Sequence, residues 1–183
     1  SIRGVYHFNP LDSKIIGKLT EKFKGTIIVA TPTFLRSYMR RCTPEQFKSL
    51  DMVIAGAERL PPELCEDFEK KFGVRPVEGY GTTELSPVAV VNIPYSRQSG
   101  KNFQTDAKEG TVGRPMPNVA ARVTDLDSDE VLGPNKAGML WIKGPNVMLG
   151  YINNPVATQE VLSEDGWYKT GDIAIIDDDG FVK

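Results

Sequence analysis

The stretch Val74-Arg75-Pro76-Val77-Glu78-Gly79-Tyr80-Gly81-Thr82-Thr83-Glu84 decides how the 183-residue chain is read. Val74 to Val77 reads as a strand that leads into a turn carrying glycines, an aromatic ring, hydroxyls and a carboxylate. Gly79 and Gly81 permit dihedrals and a close backbone approach that a side chain would forbid. Tyr80 offers a flat face, Thr82 and Thr83 offer short donors, and Glu84 offers a hard oxygen for a cation such as Mg²⁺. Those are the parts needed to hold a base, a phosphate and its metal. The same residues also suit a strand, a glycine turn and an acidic helix start, so this segment alone leaves both open.

Upstream, Thr26-Ile27-Ile28-Val29-Ala30 and Asp51-Met52-Val53-Ile54-Ala55 are short continuous apolar runs. Such runs are expected for strands buried on both faces of a parallel sheet. Helical patterns separate them. Asp12 can cap a helix whose apolar face is Ile15, Ile16, Leu19 and Phe23 and which ends near Gly25. Pro32 opens a second helix through Phe34, Leu35 and Tyr38 to Arg41, and Thr43-Pro44-Glu45 starts a short third. Pro61-Pro62-Glu63 begins another, with Leu64, Cys65, Phe68 and Phe72 inward, Glu63 at its positive end and Lys70 and Lys71 at its negative end. Gly73 is its natural stop. Three strand–helix alternations predict an α/β layer with right-handed crossovers. Ligands of such sheets sit at the carboxyl ends of the strands, where Gly56-Ala57-Glu58 and the 78–84 stretch both fall.

Downstream, the composition changes from about Pro94. Residues 95–110 are polar and aperiodic, as in a surface loop, and beyond Thr111 the helical signal nearly vanishes. Val119 to Thr124, Gly138 to Lys143 and Tyr168 to Ile176 read as strands between glycine, proline and aspartate turns. The expected fold class is therefore α/β: a parallel layer over 1–94, a loop over 95–110 and a β-rich, barrel-like subdomain over 111–183.

A net charge of −2 gives no electrostatic case for nucleic acid, and no basic run marks an anionic membrane. The two cysteines, Cys42 and Cys65, stand apart and suggest a reducing, cytoplasmic setting. His7 is the only histidine and has no nucleophile near it in sequence, which argues against a triad mechanism. No phosphate-binding loop of the GxxxxGK[ST] type occurs. Asp125, Asp127 and Asp129 have the opening spacing of a calcium loop, but Glu130 and Lys136 stand where glycine and glutamate are needed, so a hairpin turn is expected. Asp177-Asp178-Asp179-Gly180 is read as a turn too. Asp172, after Thr170-Gly171, could accept hydrogen bonds from both hydroxyls of a ribose, although alone it is one more turn aspartate.

Taken in order, Thr31-Pro32-Thr33, Gly56-Ala57-Glu58, Gly79 to Glu84, Gly113-Arg114-Pro115, Gly150-Tyr151 and Gly166 to Asp172 resemble the AMP-forming adenylate enzymes. That superfamily holds acyl-CoA synthetases, luciferases and peptide-synthetase adenylation domains, and the resemblance covers nearly the whole chain. Asn9 to Asp12, Ala30 to Arg36 and Ala55 to Leu60 are similar, more narrowly, to the ligase half of bifunctional acyl-[acyl carrier protein] synthetase/2-acylglycerophosphoethanolamine acyltransferases.

The resemblance implies that Tyr80 stacks on adenine, with Gly56, Ala57, Glu58 and Gly79 edging the base pocket and Gly81 and Thr82 beside the nucleotide. It implies that Thr83 contacts the α-phosphate, Glu84 holds Mg²⁺ and Asp172 binds the ribose. Phe34, Ala55 and Leu85 would line the acyl pocket. The reaction implied is attack of a fatty carboxylate on the α-phosphorus of ATP, then transfer of the acyl group to a carrier-protein or coenzyme A thiol. A lysophospholipid would be a partner through a fused domain, with the parent protein at the inner membrane. The family's Ser/Thr/Gly-rich phosphate loop and its small C-terminal domain with the adenylation lysine are not in these residues. The chain is thus expected to be a piece of a longer polypeptide that forms no acyl-adenylate alone. A non-catalytic nucleotide- or acyl-binding module, and a structural α/β domain whose glycines only make turns, remain open beside it.

Overall fold

A computed structural model describes residues 4–5, 7–94 and 106–183, and the chain divides into two compact units. The first takes the described residues up to Glu78 together with 93–94 and 106–107, and the second takes 79–92 and 108–183. The loop expected over 95–110 lies for the most part outside the described residues.

In the first unit, helices α1 (Ser13–Phe23), α2 (Pro32–Arg41) and α3 (Pro62–Phe72) alternate with strands β1 (Ile27–Ala30) and β2 (Met52–Ala55) and the start of β3 (Val77–Tyr80). β1 and β2 run parallel with Ile27 opposite Met52, and β2 continues in parallel onto β3 with Ala55 opposite Glu78. The helix ends obey local chemistry. Asp12 accepts from the Ile15 amide, Thr31 accepts from the Phe34 amide at the α2 start, and Gly73 closes α3 at φ 72°. The core is aromatic: Phe47, on a 3-10 turn over Pro44–Phe47, lies 4.8 Å from Phe72 and 6.3 Å from Phe68 between ring centroids.

Three details depart from the sequence pattern. The buried face of α1 is Ser13, Gly17 and Thr20, while Ile15 and Phe23 are exposed and only Ile16 of the expected apolar face packs on the core. Small residues win because the helix lies close against its neighbours. A Cβ at Gly17 would sit 2.6 Å from Gln46 Oε1 and 3.0 Å from Cys42 Sγ, and the Ser13 and Ser37 hydroxyls meet at 2.7 Å. β1 is not buried on both faces: Ile27 is 51% and Val29 66% exposed, because no described residue covers that side of this outer strand. β3 starts at Val77 and not Val74, so Glu78, Gly79 and Tyr80 are strand residues. Pro76 has no amide to give a ladder, which delays the pairing.

In the second unit, Gly79 and Tyr80 pair antiparallel with β4 (Val90–Val91), which pairs with β5 (Arg114–Pro115). The β-rich part is an open, three-stranded antiparallel sheet of β6 (Ala120–Thr124), β7 (Ala137–Lys143) and β8 (Tyr168–Ile175). Its inner face supplies Val123, Leu140, Ile142, Tyr168 and Ala174 to a core shared with Leu85, Ala89 and Val90. On the other face the Arg122 guanidinium lies 4.3 Å from the Trp167 ring and 5.3 Å from the Trp141 ring. A short helix α4 (Pro155–Val161), capped by Asn154, breaks the nearly helix-free pattern expected here. Asp125 Oδ1 accepts from the Asp127 and Ser128 amides, and Asp177 Oδ1 from the Asp179 and Phe181 amides, so both aspartate runs are turns.

Gly17→Val is expected to destabilise the first unit by about 1–3 kcal/mol, the usual cost of overpacking, in denaturant unfolding followed by circular dichroism. An unchanged midpoint would show that α1 does not depend on close approach.

Candidate functional site

The second unit gathers most of the residues singled out in the sequence. Tyr80 stands at the end of β3, and its hydroxyl donates to Asp172 Oδ2 at 2.6 Å, joining positions 92 residues apart. Asp172 is held in β8 by its amide, which donates to Thr170 Oγ1 at 3.1 Å, while the Thr170 hydroxyl donates to the Leu140 carbonyl at 2.9 Å. Burial, and then the Asp172 acceptor, push the Tyr80 phenol well above its ordinary value.

Beyond Tyr80 the backbone folds back so tightly that a Cβ at Gly81 would overlap the Pro87 carbonyl. Thr82 Oγ1 is buried and has no partner of hydrogen-bonding geometry among the described residues, although it lies near enough to Glu84 and Tyr168 to favour ionisation of both. A 3-10 turn over Thr83–Leu85 then presents Glu84, leaves Thr83 exposed and sends Leu85 fully into the core. Glu84 Oε1 accepts from the Tyr151 hydroxyl at 2.8 Å. Its own backbone amide, and next Tyr151, hold the Glu84 carboxyl below its ordinary 4.5, while Glu84 in turn pushes the Tyr151 phenol up to about 12. Tyr168, 4% exposed, lies among these groups, and burial first and the Glu84 and Asp172 charges next raise its pKa. The result is two phenol–carboxylate pairs, Tyr80–Asp172 and Tyr151–Glu84, with an unsatisfied hydroxyl nearby.

Other expected residues belong to the first unit. Gly56, Ala57 and Glu58 follow β2, with the Gly56 amide donating to the Ala30 carbonyl at 3.2 Å. Ala57 is held at φ 66°, a left-handed conformation that costs a non-glycine residue of order 1–3 kcal/mol. Glu58 Oε2 accepts from the Thr33 hydroxyl at 2.9 Å, and Glu78 Oε1 from the Leu60 amide at 3.2 Å. Phe34 packs on the first unit's core and Ala55 is buried within it, whereas Leu85 belongs to the second unit's core. The proposed acyl-pocket residues are therefore divided between the units.

Tyr151, Tyr168 and Thr170 carry contacts that the sequence did not assign to them. Gly150-Tyr151 and the 166–172 stretch were visible as motifs, but only the folded chain brings Tyr151 to Glu84, 67 positions away. The side chains suit a nucleotide in kind: a buried hydroxyl without a partner, a flat ring and a carboxylate. They also suit Mg²⁺, which is usually held by one or two carboxylates plus substrate phosphates. Among the described residues no three metal-ligating side chains cluster, and Glu84 is the carboxylate that could hold the ion.

The family model described as AMP-binding enzyme matches residues 3–152. The chain is 37% identical to 4-coumarate–CoA ligase-like 6 of Arabidopsis thaliana, over 93% of this chain and 30% of that protein. It is 36% identical to the long-chain-fatty-acid–CoA ligase of Salmonella typhimurium, over 96% of this chain and 30% of that protein. The crystal structure of ATP-bound MatB from Rhodopseudomonas palustris superposes with a TM-score of 0.74 at 31% identity, over 98% of this chain and 33% of that one. The chain thus spans about a third of the length of these relatives.

The lowered Glu84 pKa fixes the sign of a pH effect. A carboxyl lowered by folding contributes stability above its ordinary 4.5, and that contribution is lost as pH falls through the lower folded value. Glu84→Gln should therefore melt below the unsubstituted chain at neutral pH, with the difference closing in acid. Equal melting temperatures at neutral pH would contradict this account of the Glu84 carboxyl.

Proposed function

Because the chain belongs to the AMP-binding enzyme family, we propose that it is the adenine-, ribose- and magnesium-binding part of an AMP-forming acyl-activating ligase. The observation that carries this reading is the contact between Tyr80 and Asp172, whose phenol hydroxyl and carboxylate meet at 2.6 Å and so bring an aromatic ring and a carboxylate together. The Tyr80 ring lies against adenine and Asp172 accepts from the ribose hydroxyls. Thr82 and Thr83 donate to phosphate oxygens, and Gly79 edges the base. Glu84 would hold Mg²⁺, which would supply charge neutralisation at the phosphates.

The carboxylate of the acid substrate attacks the α-phosphorus of ATP, pyrophosphate departs, and a thiol then displaces AMP from the acyl-adenylate. No side chain has to become a covalent nucleophile, since the substrate's own carboxylate attacks. The chain's residues position the reactants and stabilise developing phosphate charge. The relatives' names support a fatty or aromatic acid as substrate and coenzyme A as the thiol. The narrower resemblance of Asn9 to Asp12, Ala30 to Arg36 and Ala55 to Leu60 supports a carrier-protein thiol, with lysophospholipid reacylation by a fused domain. A thiol acceptor is common to both.

Melting temperatures with AMP, ATP·Mg²⁺ and a non-hydrolysable acyl-adenylate analogue, beside Asp172→Ala, test the proposal. A ligand at 100 times its Kd adds about 2.7 kcal/mol of stability. The analogue is expected to raise the melting temperature of the unsubstituted chain and to leave that of Asp172→Ala in place. No shift with any of the three ligands would overturn the reading.

A further inference from the structure

Four bonds join the segment 146–151 to the turn that carries Glu84. Asn146 Nδ2 donates to the Leu85 carbonyl at 3.0 Å and to the Val88 carbonyl at 3.2 Å. The Met148 amide donates to the Glu84 carbonyl at 2.8 Å. These three end on main-chain oxygens and do not involve the Glu84 carboxylate. The fourth, from the Tyr151 hydroxyl to Glu84 Oε1, is different because it ends on the carboxylate.

Tyr151 is itself well anchored. Its amide donates to Thr158 Oγ1 at 2.9 Å, and the Thr158 hydroxyl donates to the Asn154 carbonyl at 2.9 Å, at the start of α4. Gly150 precedes it at φ 149°, and a Cβ there would crowd Thr158 at 3.0 Å. The phenol is thus delivered from a backbone fixed without the Glu84 carboxylate, and the Glu84 backbone is fixed without the phenol. Glu84 stands on a short 3-10 turn and is only half-buried, and the Thr82 and Tyr168 hydroxyls also lie near its carboxylate.

We propose that Tyr151 is a positioning residue that holds the Glu84 carboxylate in one orientation for the cation. This inference rests on the nucleotide reading given above. An ionised carboxylate has about four acceptor sites, so one bond from Tyr151 fixes the group and leaves capacity for an ion. Ordering a flexible glutamate in advance removes a cost that cation binding would otherwise carry.

Tyr151→Phe keeps the ring and all three main-chain ties and removes only the hydroxyl. Two measurements on the 183-residue chain are decisive. Side-chain couplings by NMR, without ligand, read whether Glu84 occupies one rotamer. Paramagnetic relaxation with Mn²⁺ and a non-hydrolysable ATP analogue reads cation affinity, with Glu84→Gln as the control that removes the ligand itself. The proposal expects Glu84 to begin averaging between rotamers in Tyr151→Phe and Mn²⁺ to bind about threefold to tenfold more weakly, a modest hydrogen-bond effect. A single retained rotamer, or Mn²⁺ bound equally or more tightly, overturns it. Failure of the unsubstituted chain to take up Mn²⁺ with the nucleotide would overturn the nucleotide reading and the cation role together. The rotamer measurement separates these two failures, because it needs neither metal nor nucleotide.

Discussion

The second unit depends on the chain folding back between Gly81 and Ala89. Gly81 lies against the Pro87 carbonyl with no room for a side chain, and the Ala89 amide donates to the Tyr80 carbonyl at 3.0 Å. That reversal lets Val90 and Val91 pair with Tyr80 and Gly79 and sends Leu85 into the core, while Glu84 is turned outward. One steric constraint therefore sets both the packing and the presentation of the polar groups. A residue larger than glycine at position 81 would push the two arms apart and displace both at once.

What could be seen in the sequence followed from local chemistry. The four-residue turn pattern of α3, with proline at its start, Leu64, Cys65, Phe68 and Phe72 inward and Gly73 at its end, needed no tertiary information. The three strands of the antiparallel sheet were equally readable, because alternation and turn residues bound them on both sides. The failures came where neighbours decide. α1 buries its small residues because Gln46 and Cys42 crowd Gly17, and no hydrophobic period encodes that. β1 is as apolar as a central strand yet stands exposed on one side, since its sequence cannot state what lies beside it. In the site, Tyr80, Glu84 and Asp172 were identifiable as residue types suited to a nucleotide. The phenolic partner of Glu84 was not, because a tyrosine 67 positions from a glutamate gives no periodic signal of the contact.

The two phenol–carboxylate pairs share an electrostatic logic. Each tyrosine stays neutral far into the alkaline range because its hydroxyl faces an acidic partner or lies buried, and each remains a donor. A neutral donor steadies a carboxylate without cancelling its charge, as a lysine or arginine would. That distinction matters under the proposed roles of Asp172 toward ribose hydroxyls and Glu84 toward a cation, where the full negative charge has to remain available.

The distribution of two rare residue types has a spectroscopic consequence. Trp141 and Trp167 are the chain's only tryptophans and both belong to the second unit, where they flank Arg122. Cys42 and Cys65 are its only cysteines, and both are buried in the first. Indole fluorescence thus follows the opening of one unit, and thiol labelling follows the opening of the other. The unmodified chain carries two independent built-in probes, so the order in which its halves unfold can be read without introducing any label site.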